Sequence, residues 1–269
     1  MRYFFHIAYN GAQYHGWQRH APHLTIQEVL EENLSKVLKM PATILGCGRT
    51  DAQVHANQYF FHLDVKNEWD FDLVFRLNKM LPEDIAVYDI IQVSDDSHAQ
   101  YSATKRTYDY FIHTCKNPFL NRFSTYYPER DLALDKMQTA LSLLTKHRDY
   151  KAFCKTPDKY EHTNCRITSA QLFSDKKGDK LRIQISSNRF LRGMIRAITA
   201  KLLKIGSVEL SLNEFENILS ASQFQPNLEF AEPQGLYLSE VVYPFLNVAP
   251  RREFTPFFRH EEEKHWLAV

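Results

Sequence analysis

The sequence has no long apolar run, no paired cysteines and almost no net charge, and each shortage removes a class of function. The opening "MRYFFHIAYNG" is partly apolar, but His6, Tyr9 and Asn10 interrupt it before a signal-peptide core or a spanning helix is complete. A cytoplasmic protein without a membrane partner is expected. Cys47, Cys115, Cys154 and Cys165 include no C-x-x-C pair, so reduced structural thiols are expected and neither a zinc ribbon nor a disulfide framework. The histidines show no H-E-x-x-H or comparable spacing, and no metal is expected. Net charge is only +1, which says little about distribution. Residues 180–204 carry Lys180, Arg182, Arg189, Arg192, Arg196, Lys201 and Lys204 with no acidic residue among them, while "EEE" at 261–263 helps offset them.

What is present reads as two similar halves. Residues 2–9 form a strand, and "TIQEVLEENLSKVL" is an amphipathic helix with Thr25 as cap and Glu28 at the capping-box position. The apolar run "ATILGC" and the strand "NQYFFHLDV" flank the Gly-Arg-Thr-Asp loop, a helix starts at Asp70 and ends before Pro82, and "IAVYDIIQV" is another strand. This β-α-β-β-α-β order is the split βαβ unit of ferredoxin-like folds. The order repeats in "KRTYDYFIH", "LDKMQTALSLLTKH", "NCRITSAQLFS", "LRIQISS", "FLRGMIRAITAKLLKIG" and "GLYLSEVVYP", with an added helix at 212–220. The expected fold is α+β: two ferredoxin-like halves in a continuous, mostly antiparallel sheet, helices on one face, around a central cleft. The expected boundaries are 1–103, 104–246 and a tail, 247–269, without clear periodicity.

Three motifs carry chemistry. In "GCGRTDAQVHA" (46–56) the glycines permit close approach, and they fit neither G-x-G-x-x-G nor G-x-x-x-x-G-K-[ST]. From spacing alone Asp51 is a turn residue bonding the backbone, or a carboxylate beside a cation suited to metal-free nucleophilic or acid/base work. In "SATKRTYDYFIH", Arg106, Tyr108 and Tyr110 share a strand face beside Lys105, a set able to stack bases and hold phosphates, or else two core tyrosines with an edge cation. In "NRFLRGMIRAITAKLLK", Arg192 and Arg196 are four apart at a helix start, where positive charge opposes the macrodipole unless something negative meets it. A phosphate or the Asp51 carboxylate would serve.

Together these motifs resemble the bacterial tRNA pseudouridine synthase A family over roughly residues 3–244. The matching blocks, in order, are "YNGAQYHGWQ", "TIQEVL", "GRTDAQVHA", "LNKMLPEDIAV", "SATKRTYDY", "RFLRGMIRAI" and "GLYLSEVVYP". The resemblance implies conversion of uridine to pseudouridine in the anticodon stem-loop of tRNA by a homodimer needing no cofactor and no metal. It places the catalytic aspartate at Asp51, nucleophile at C1′ or at the base. It makes Arg196 the arginine paired with that aspartate, Tyr108 the tyrosine that stacks on the target base, and Arg49 a residue associated with the flipped nucleotide. A stacked uridine must be extruded before a carboxylate reaches it, with Lys105, Arg106 and Arg192 available for phosphates.

Four departures stand out. Gln53 replaces a glycine, Gln100 a basic residue and Ala197 an asparagine, and "EPQGL" is shortened between proline and glycine. If position 53 needs a positive φ, its loop is strained or reshaped. These changes motivate an alternative, a catalytically inactive or retargeted RNA-binding paralogue. A metal-free hydrolase using Asp51 and His55 has no identifiable oxyanion donors or acid partner.

Overall fold

The computed structural model describes residues 1–129, 131–251 and 266–269; Arg252, the "FTPFF" run and the Glu261 to Glu263 cluster lie outside them. In chain order the elements are β1 (Arg2–Tyr9), α1 (Ile26–Leu38), β2 (Leu45–Gly46), β3 (His55–Asp64), α2 (Leu73–Met80), β4 (Ile85–Val93), β5 (Lys105–His113), β6 (Thr125–Tyr126), α3 (Leu134–Leu144), β7 (Ile167–Asp175), β8 (Lys180–Ser187), α4 (Met194–Gly206), α5 (Leu212–Ala221), β9 (Leu236–Val242) and β10 (Trp266–Ala268). The fold is α+β with mostly antiparallel pairing, and it divides into two compact units.

The first unit holds Met1–Thr104 and Tyr237–Arg251. Its strands run β9-β3-β1-β4, with β2 on the same edge of β3 and a short parallel pairing of β3 with β9. Thr25 caps α1 by accepting the Glu28 N–H, and Ile26, Leu30 and Leu34 form its buried stripe. Helix α2 begins later than Asp70, because the Asp72 carboxylate takes the Phe75 N–H at 2.9 Å. Alternation along β1 sends Phe5 to one face, where it stacks on Phe61 at 4.7 Å, and Phe4 and His6 to the other.

That second face is also buried, because residues 243–251 lie across it. Tyr243 meets Phe4 and Phe60 at 5.2 and 5.3 Å, and Gln58 Nε2 donates to the Val248 carbonyl at 3.1 Å. Arg251 reaches Asp89 at 3.6 Å with its guanidinium 4.9 Å from the Tyr88 ring. The start of the tail therefore completes the core of this unit.

The second unit holds Lys105–Leu236 and the final strand. Its strands run β10-β7-β8-β5 antiparallel, with β6 parallel to β5. Helices α3 and α4 pack together through stripes that include Met137, Leu141, Ile198 and Leu202. Asp109 is fully buried and accepts from Arg182 Nε at 2.7 Å and Gln184 Nε2 at 3.0 Å. Helix α4 begins at Met194, four residues later than the expected start at Phe190, because Gly193 caps it at φ +74°. A left-handed residue ends helical geometry, so Arg192 precedes the helix and does not share a helical face with Arg196. Among the described residues no helix is long and apolar enough to cross a membrane.

Candidate active site

In the first unit, the segment "YNGAQYHGW" wraps the loop that carries Asp51. The Tyr9 hydroxyl and Thr50 Oγ1 are 2.9 Å apart, and both residues are buried. The Trp17 N–H donates to the Thr50 carbonyl at 3.2 Å, and the Gln53 N–H to the Tyr14 carbonyl at 3.0 Å. Tyr59 donates from behind to the Gly48 carbonyl at 2.5 Å. Tyr14 is itself tied down by its hydroxyl on Asp84 at 2.6 Å, and burial first, then Asp84, pushes that phenol well above its ordinary pKa.

The loop closes as a β-turn, with the Val54 N–H on the Asp51 carbonyl at 3.2 Å and Gln53 at φ +64°. Gln53 is third in that turn, where a positive φ selects glycine. The turn is thus kept with the strain left in place. Asp51 serves the turn through its main chain, while its half-buried side chain lies at the turn's first position. Both readings of this residue, turn former and carboxylate for chemistry, fit the same geometry.

Two details revise expectations about this loop. Gly46 leaves room for the protein itself and not for a ligand, since a Cβ there would stand 2.0 Å from the Tyr59 hydroxyl and 2.6 Å from Trp17. His55 is buried, accepts the Gly11 N–H on Nδ1 at 3.1 Å, and stacks on Tyr237 at 4.5 Å. Accepting that bond requires the lone pair of a neutral ring, so His55 holds the loop in place and is not the base of a hydrolytic pair. Arg49 is exposed, with Nη1 3.3 Å from Gln18 Oε1.

In the second unit, residues 188–193 gather the others. Arg106 Nη1 donates to the Asn188 carbonyl at 3.3 Å, and the Tyr108 ring stands edge-on to Phe190 at 5.1 Å and 90°. Lys105 starts the same strand, half-buried like Arg106 and Tyr108. Tyr110 differs from Tyr108. It is fully buried, donates to the Glu232 carbonyl at 2.7 Å and lies 2.7 Å from Thr125 Oγ1. Burial pushes its phenol far above the ordinary value, so it is a core tyrosine and not a stacking platform.

Arg192 is exposed, and its N–H donates to the Tyr160 hydroxyl at 3.0 Å. Arg196 lies in the first turn of α4, where its Nε donates to the Ala231 carbonyl at 2.7 Å and its guanidinium stands 5.6 Å from the Phe230 ring. A phosphate or the Asp51 carboxylate is the partner expected for this cation; the structure places a carbonyl and an aromatic ring beside it. Tyr160, Phe230 and Ala231 lie in irregular segments and carry no periodic signal, while Phe190 reads in the sequence as the start of a helix. Among the described residues no group of three or more His, Cys, Asp or Glu could hold a metal ion.

Comparison with known proteins adds an independent observation. The family model described as tRNA pseudouridine synthase matches residues 140–244. The tRNA pseudouridine synthase A of Porphyromonas gingivalis is 36% identical over 248 residues, covering 90% of this chain and 97% of its own length. Those of Parabacteroides distasonis and Streptococcus pneumoniae are 37% and 34% identical over 246 residues each, covering 90% of this chain and 96% and 98% of theirs. With identity above 30% across nine-tenths of its length, the chain belongs to the tRNA pseudouridine synthase A family.

Proposed function

We propose that this protein isomerises uridine to pseudouridine in the anticodon stem-loop of tRNA, with Asp51 as nucleophile. The N1–C1′ bond breaks, the base turns, a C5–C1′ bond forms, C5 loses a proton and N1 gains one, so the overall change is an isomerisation that consumes no co-reactant. Asp51 attacks at C1′ or at the base, and an ionised carboxylate is the useful form in either case. Arg196 is the cation that favours that form. Tyr108 joins a flat ring to a polar tip, which suits stacking on the base and help in removing the C5 proton. Arg49, Lys105, Arg106 and Arg192 hold phosphates and the extruded nucleotide.

The observation that supports this reading best is the turn at residues 51–54. Gln53 holds the angle a glycine would adopt, at φ +64°, so the substitution that motivated an inactive paralogue has left the backbone under Asp51 in a glycine-type turn. The enzyme works in the cytoplasm on this reading, and as a homodimer, as the family resemblance implies. Incubating the purified protein with unmodified tRNA transcripts and mapping pseudouridine tests it. RNA that binds but is never modified would sink the proposal in favour of a binding protein.

A further inference from the structure

We infer that Phe230 is a positioning residue for Arg196, acting on the guanidinium and not on the RNA. This rests on the reading above, in which Arg196 serves the catalytic carboxylate. A cation in the first turn of a helix is repelled by the macrodipole, and a long side chain there tends to swing into solvent. Residues 229–232 prevent this. Ala231 and Arg196 exchange two hydrogen bonds, Ala231 N–H to the Arg196 carbonyl at 3.0 Å and Arg196 Nε to the Ala231 carbonyl at 2.7 Å. The Phe230 ring stands 5.6 Å from the guanidinium carbon.

This segment is anchored at both ends. Glu229 pairs with Lys204 at 2.5 Å, two turns further along the same helix. The Glu232 carbonyl accepts from the buried Tyr110 hydroxyl at 2.7 Å. Gly193 belongs to the same device, because a Cβ at that position would stand 2.6 Å from Phe230 Cε1. The glycine that caps α4 therefore also clears the seat of the ring. The Nε bond and the ring together set the plane of the guanidinium, and pairing of an arginine with a carboxylate is sensitive to that plane.

The test uses full-length Phe230→Leu, Phe230→Met and Phe230→Tyr. We read steady-state pseudouridine formation on a tRNA transcript and hydrogen exchange at Arg196 Nε by NMR of arginine-labelled protein, assigned with Arg196→Lys. For Leu and Met, kcat falls about tenfold with KM for tRNA within about twofold, and Nε exchange accelerates by a similar factor. Phe230→Tyr restores both. Unchanged exchange and unchanged kcat in Leu and Met would overturn the inference, as would a loss in the Tyr variant equal to theirs. If the wild type forms no pseudouridine at all, the functional reading fails, and the exchange rates alone then decide whether Phe230 positions Arg196.

Discussion

The hydroxyls of Tyr9 and Thr50 meet at 2.9 Å inside the protein, joining the first strand to the loop that presents Asp51. Both atoms are out of water, so removing one leaves the other with a weakened set of partners. Tyr9→Phe is expected to lower stability by about 1 kcal/mol in urea denaturation, with unchanged m. It should also reduce kcat more than it raises KM, because the bond fixes the loop under Asp51, the proposed nucleophile, and does not touch phosphates.

Gln53 stores strain that a glycine would release. Left-handed backbone costs a side-chain-bearing residue about 1–2 kcal/mol, partly offset by the extra chain entropy a glycine loses on folding. Gln53→Gly should therefore raise stability by roughly 0.5 kcal/mol and keep activity, while Gln53→Val should lower stability by at least about 1 kcal/mol. Thermal unfolding of the two variants beside the wild type checks the order Gly, Gln, Val.

His62 makes the first unit sensitive to acid. It is buried and accepts the Ala99 N–H on Nδ1, and burial, then Arg2 and His98, press its pKa from 6.5 to about 4, with Asp64 opposing. Between those two values the unfolded chain takes up a proton that the folded one refuses, so stability from this group falls as pH drops from about 6.5 to about 4. His62→Gln should flatten the fall in unfolding midpoint across that window by up to one proton's worth. A slope equal to that of the wild type would contradict it.

Asp109 and Arg182 form a buried pair at 2.7 Å, with Arg182 only 6% exposed. Removing one partner strands a charge, so Asp109→Leu should cost about 3–5 kcal/mol, whereas Asp109→Leu with Arg182→Met should recover most of that loss. Chemical denaturation of the single and double variants measures the difference.

The regular elements were legible wherever the hydrophobic period was clean, as in α1, β3, β5 and β8. Periodicity misread the start of α4, because Leu191 continues the apolar stripe and nothing in the pattern shows that Gly193 is left-handed. The Asp51 loop was legible as a motif but not as a structure. Its supports include main-chain groups of residues 11, 14 and 17 bonded to residues 50–55, and carbonyl and N–H groups have no sequence signature. The seat of Arg196 was illegible for the same reason, since Ala231 acts through its backbone. Burial of Phe4 and His6 could not be read from β1 either, because their cover comes from residues 243–251, far along the chain.

The most direct test of the central claim maps pseudouridine in unmodified tRNA transcripts after treatment with wild type and with Asp51→Asn. The wild type is expected to place pseudouridine in the anticodon stem-loop, and the variant to bind the same RNA with similar affinity while losing activity by on the order of 10⁴-fold or more. Pseudouridine formed by Asp51→Asn at a rate near that of the wild type, or none formed by the wild type on RNA it demonstrably binds, would contradict a nucleophilic role for Asp51.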